Sequence, residues 1–93
     1  MAQTHQVRGR ATTTYFEDGM TTVRYHACPV VRFNEKCIVL RNDGWYTLTT
    51  KTRMNQASHQ YGLGYYVWQK DFTWFVDYKG ESLRFTDGMV LTR

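Results

Sequence analysis

The sequence predicts a mostly β, α+β fold: a small antiparallel β-barrel or β-roll with one short helix. Three observations carry this expectation. Strand-favouring residues are abundant, with thirteen threonines and seven tyrosines among 93 residues, types that suit a pleated, half-buried surface. Turn signals recur at short spacing, at Asp18-Gly19, Asn34-Glu35, Asn42-Asp43-Gly44, Lys79-Gly80 and Asp87-Gly88. One stretch, around residues 52–61, instead spaces its apolar residues as a helix does.

Taken along the chain, residues 1–9 are polar and read as a loose N-terminal segment of a single domain spanning 1–93. Short alternating segments follow. Val23 and Tyr25 alternate with Thr22, Arg24 and His26. Val31 and Phe33 alternate with Val30 and Arg32, and Pro29 suits a strand start or bend. A tight hairpin around Asn34-Glu35 would set Cys37 opposite Arg32 and Cys28 opposite Arg41. Ile38 and Leu40 form the next apolar set, then Tyr46 and Leu48. After the helix come Tyr66 with Trp68, then Trp74, Val76 and Tyr78, then Leu83 and Phe85, and finally Met89 and Leu91. This phasing makes Trp45, Tyr65 and Phe75 the candidate outward aromatics, with core placement the stronger expectation for each. About eight or nine such strands would curl into a barrel or pack as two sheets. Phe16–Met20 and Phe85–Met89 echo each other, which reads as one hairpin solution used twice rather than as a repeat.

On the helix, Met54, Ala57 and Tyr61 fall on one face and dock it. Arg53, Gln56 and Gln60 share another face, with Asn55 and His59 beside them. Gly62 fits the stop.

The net charge is +4. Residues 1–53 hold eight Lys/Arg against four Asp/Glu, whereas residues 54–93 hold four of each. A basic half suggests a polyanionic partner or an acidic protein surface. The same charge is also ordinary for a small domain. No apolar run is long enough to span a bilayer and nothing resembles a secretory signal, so a cytoplasmic protein is expected. The two cysteines make no disulfide framework and read as reduced thiols.

Catalytic chemistry finds little support. Ser58 and His59 are helix neighbours that do not face each other. His26, Cys28, Cys37 and His59 lack the paired spacings of zinc modules. The carboxylates fall mostly in turns, and no phosphate or dinucleotide fingerprint is present. The expectation is therefore a protein that is not an enzyme, with no cofactor, no metal and no small-molecule substrate.

Binding is better supported. Lys51, Arg53, Asn55, Gln56 and His59 would form a contact surface on the helix, and Arg24, Arg32 and Arg41, on the polar side of their strands, a basic stripe. Such side chains suit phosphates and base edges, and small β-barrels stack bases on aromatics. Tyr, Trp, Met and Arg are equally the types that anchor protein interfaces.

The stretch Thr50-Lys51-Thr52-Arg53-Met54-Asn55-Gln56-Ala57-Ser58, followed by Gly62-Leu63-Gly64-Tyr65, Gln69-Lys70 and Trp74-Phe75-Val76, resembles small uncharacterised proteins encoded by tailed bacteriophages. The resemblance extends weakly over residues 20–91. It carries over no catalytic residue. It implies action in the cytoplasm of an infected bacterium, on nucleic acid or on a host protein. The leading expectation is a non-enzymatic phage accessory protein binding nucleic acid or a nucleoprotein. The alternatives are a stoichiometric inhibitor or adaptor of a host nuclease or defence component, and a minor virion structural protein that self-associates.

Overall fold

The computed structural model describes residues 12–93, so the segment 1–9 lies outside the described residues. Strands β1 (Thr12–Glu17), β2 (Met20–Tyr25), β3 (Cys28–Phe33) and β4 (Cys37–Leu40) precede helix α1 (Leu48–Tyr61). Strands β5 (Tyr65–Lys70), β6 (Thr73–Tyr78), β7 (Glu81–Arg84) and β8 (Met89–Thr92) follow it. The strands form two antiparallel sheets, one ordered β1-β2-β3-β4-β8 and the other β5-β6-β7. The sheets do not close into a barrel; the mostly β, α+β architecture with a single helix among the described residues is the one found.

One face of the larger sheet, the inner face of the smaller sheet and α1 enclose a common core. Val23, Val31, Ile38, Leu40 and Leu91 come from the first, Tyr65, Val67, Trp74 and Val76 from the second, and Met54 and Ala57 from the helix. Burying each of the Val, Leu, Ile and Met side chains contributes about 1.5–3 kcal/mol before the entropy of ordering is subtracted.

The helix is longer than its apolar spacing indicates. It begins at Leu48 because Thr47 caps it, the Thr47 hydroxyl accepting the Thr50 N–H at 3.2 Å. The strand expected over Trp45–Thr49 is therefore absent. The alternation of Tyr46 and Leu48 had no buried face behind it, for both are exposed. Gly62, left-handed at φ 62, ends the helix, and the Leu63 N–H returns to the Ser58 carbonyl at 2.9 Å.

Register corrects three further expectations. Arg32 pairs with Val39 rather than Cys37, and Phe33 with Ile38. The Asn34 side chain accepts from the Lys36 and Cys37 N–H groups and widens the turn. The slip is two residues, so each side chain keeps its face; both cysteines are free thiols. Strand β5 has the opposite phase to the one expected: Tyr65 and Val67 are buried, and Tyr66 is exposed. The Asp-Gly echo has no structural parallel. Asp18-Gly19 closes the β1–β2 hairpin, whereas Asp87-Gly88 lies where the chain crosses from the smaller sheet to the larger.

Candidate nucleic-acid interface

Antiparallel pairing puts opposite residues on the same face. On the outer face of the smaller sheet, register aligns Tyr66 with Asp77 and Ser82, and Trp68 with Phe75 and Arg84. The Trp68 and Phe75 rings stack, with centroids 4.7 Å apart and planes 25° from parallel. The Trp68 indole N–H donates to Asp77 Oδ1 at 2.7 Å, and the Ser82 hydroxyl donates to the same oxygen. These two donors, Ser82 first, hold the Asp77 carboxyl below its usual range. The carboxylate thus fixes Trp68 in plane against Phe75. Phe72 stands at the β5–β6 turn with 94% of its surface exposed. Its φ of 65° follows 51° at Asp71. A two-residue turn of this kind favours Asn and Gly, so a phenylalanine there is strained by about 1–2 kcal/mol. Lys70 and Arg84 are exposed at the margin.

Between this face and the helix runs a groove of about 350 Å³, lined by Lys51, Thr52, Asn55, Tyr66 and Trp68 among others. Its wall is built by helix side chains that stand in for a missing strand. The Asn55 amide accepts the Val67 N–H and donates to the Val67 carbonyl, at 2.8 and 2.9 Å. One turn on, the Ser58 hydroxyl does the same for Tyr65, at 3.0 and 2.6 Å. Val67 and Tyr65 are alternate residues on the outer edge of β5. Their backbone groups would otherwise be unpaired at considerable cost.

The helix residues expected to form one contact row are thereby divided. Lys51 and Asn55 line the groove. The Lys51 ammonium donates to Gln69 Oε1 at 3.1 Å and lies 5.8 Å over the Trp74 ring. Arg53 and Gln56 face the other way. The Arg53 guanidinium donates to Thr12 Oγ1 and Gln56 Oε1 and lies over Tyr25; Gln56 is buried. His59 is exposed at the last turn. Asn55 and Gln56 are thus committed to the protein itself rather than presented outward.

Register leaves the three strand arginines on one face of the larger sheet, but each is engaged by its own neighbours. Arg24 is exposed beside the Tyr15 ring. Arg32 donates to Thr22 Oγ1 at 3.3 Å. Arg41 is paired with Asp43 at 2.8 Å, which neutralises it locally. Of the candidate outward aromatics, Trp45 is exposed and Phe75 lies on the outer face, half-buried under Trp68. Tyr65 is in the core with its hydroxyl donating to the Met54 carbonyl. Burial raises the Tyr65 pKa well above its ordinary value. Tyr66, Trp68 and Phe72 were missed. The available signal was Asp71, a turn-favouring residue that interrupts two aromatic-rich strands without the glycine that most of the other turns carry.

Among the described residues, no three of His, Cys, Asp and Glu come together as a metal-ligand set. No helix there is long and apolar enough to cross a membrane.

The sequence matches the family model of the Kyanoviridae Gp96 protein over residues 1–92. The chain belongs to that family. Its members are proteins of tailed cyanophages, of unknown function, in agreement with the resemblance to tailed-phage proteins. No curated protein and no solved structure matches it. The family supplies no site residues, so the aromatic face and its groove stand on their geometry.

Proposed function

We propose that this Gp96-family chain is a non-enzymatic accessory protein that binds single-stranded nucleic acid in the cytoplasm of the infected host. One observation carries the reading: the outer face of the smaller sheet presents the Trp68–Phe75 stack, with exposed Tyr66 and Phe72 beside it. Aromatic faces of this kind stack bases irrespective of sequence, each base contributing about 1–3 kcal/mol. Lys51, Lys70 and Arg84 at the margin supply cations for the phosphates. The reading moves the contact surface away from Gln56 and Arg41, which are occupied internally, and onto β5 and β6.

Fluorescence anisotropy with labelled single-stranded DNA, RNA and duplex DNA across a salt series tests it. The expected outcome is binding that weakens steeply with salt, prefers single strands and falls about tenfold or more in Phe72→Ser and Tyr66→Ala. Both side chains are exposed, so neither variant should unfold. Absence of binding at low salt would overturn the reading. The alternative, an inhibitor or adaptor of a host protein, draws support from β1, a six-residue strand at the sheet edge with exposed Phe16.

A further inference from the structure

A second cleft, of about 480 Å³, opens where the β2–β3 turn meets the start of α1. Tyr25, Ala27, Cys28 and Trp45 give it apolar and aromatic walls, and Asn42 and Thr50 contribute polar groups. Its volume is that of a small-molecule site. Trp45, 67% exposed, forms the lip.

Asn42 is the informative residue. It is fully buried, and its polar groups are engaged at every point except one. Its backbone N–H donates to Asp87 Oδ1, its carbonyl accepts from Trp45, and its Oδ1 accepts from Gly44 at 3.0 Å. The bond from Gly44 fixes which end of the amide is oxygen. The other end, Nδ2, is buried with no hydrogen-bond partner. An orphaned buried donor is costly, and this one belongs to a residue lining an open cleft. The threonine and aspartate side chains there are bonded to one another or to a neighbour. The Thr47 and Thr50 hydroxyls bond each other at 2.9 Å, and Asp43 is paired with Arg41. Burial, aided by Asp43, pushes the Cys28 thiol up to about 12. The cleft therefore offers one buried unused donor between apolar walls, with the exposed His26 ring beside Tyr25 at its rim, and no thiolate nucleophile.

We infer that this cleft binds a planar heterocycle bearing a carbonyl, its faces against Tyr25 and Trp45 and its oxygen on Asn42 Nδ2. The ring is either a free nucleoside or one base of a strand. The inference is independent of the aromatic face on β5 and β6, because none of its residues lie there.

Uridine is titrated into the isotope-labelled protein while the Asn42 side-chain amide and the Trp45 indole are followed by NMR. Saturable shifts of both, with Kd of about 1 mM, are expected for one ring in a site this size. Indole, which lacks a carbonyl, should bind at least tenfold more weakly. Trp45→Ala should weaken uridine about tenfold with an unchanged Tm. Asn42→Asp keeps the acceptor for Gly44 and removes the donor, so where it folds it should abolish binding. An oligouridine separates the sources: shifts with uridine alone assign a free ligand, and shifts with both assign a base in a strand. No saturable shift with uridine, or indole binding as tightly as uridine, would overturn the inference.

Discussion

Asp77 joins chemistry and conformation at a single carboxyl. The Ser82 and Trp68 donors favour its charged form. The stabilisation this gives is complete above the ordinary value of 3.8 and is lost as pH falls through the lowered folded value. Acidification below 3.8 should therefore release the Trp68 indole before the core unfolds. The Trp68 N–H resonance would move across that window in the parent and stay flat in Asp77→Asn. A resonance in the parent that holds its position until global unfolding would count against the arrangement. Ser58 provides a second test. Ser58→Ala leaves both the Tyr65 N–H and C=O unpaired in the core, at a cost of about 1–3 kcal/mol, measurable by urea denaturation. Residue identities were legible here in part. Polarity singles out Asn55, but it does not distinguish an amide facing solvent from one facing a bare strand edge. Only the placement of β5 beside α1 decides between them.

At the scale of elements, local signals and tertiary context competed. The Thr47 cap was hidden by the apparent alternation of Tyr46 and Leu48, a five-residue pattern too short to separate strand from helix. Thr47→Ala should cost about 1 kcal/mol and show as reduced helicity on heating. The phase of β5 was equally ambiguous, since Tyr65, Tyr66, Val67 and Trp68 are all strand formers. The docking of α1, through Ser58 and Asn55, selected Tyr65 and Val67 for the core. In β6, Trp74 and Val76 alternate with the polar Asp77, and the buried face was legible. The β5–β6 turn gives the sharpest prediction at this scale. Phe72→Gly should relieve left-handed strain and raise Tm, while weakening single-strand binding if the proposed face is right. A variant both more stable and equally competent in binding would remove Phe72 from the interface.

For the whole molecule, the antiparallel character of the strands is readable from turns at short intervals, although the strand expected over Trp45–Thr49 is absent and β1 is not among the alternating segments. Their division into two sheets is not readable, because no local signal marks Asp87-Gly88 as a crossing rather than a hairpin. That crossing is clasped: Asp87 Oδ1 accepts the Asn42 and Asp43 N–H groups, and the Gly88 N–H donates to the Leu40 carbonyl. Asp87→Ala should accordingly destabilise both sheets together, seen as a lower urea midpoint that is the same by tryptophan fluorescence and by circular dichroism. Non-coincident midpoints would mean that the sheets unfold separately.

The partnership of β4 with β8 also constrains how the chain is made. Leu40 pairs with Met89 and Ile38 with Leu91, so β4 is synthesised before its neighbour exists. Throughout that interval Cys37-Ile38-Val39-Leu40 is an apolar, uncharged strand with an open edge, the type of segment that recruits other chains. The vulnerable moment for this protein is thus during its synthesis, and release of β8 ends it by covering that edge. A chain cut short before Met89 would keep the open strand permanently and should collect in the insoluble fraction of expressing cells.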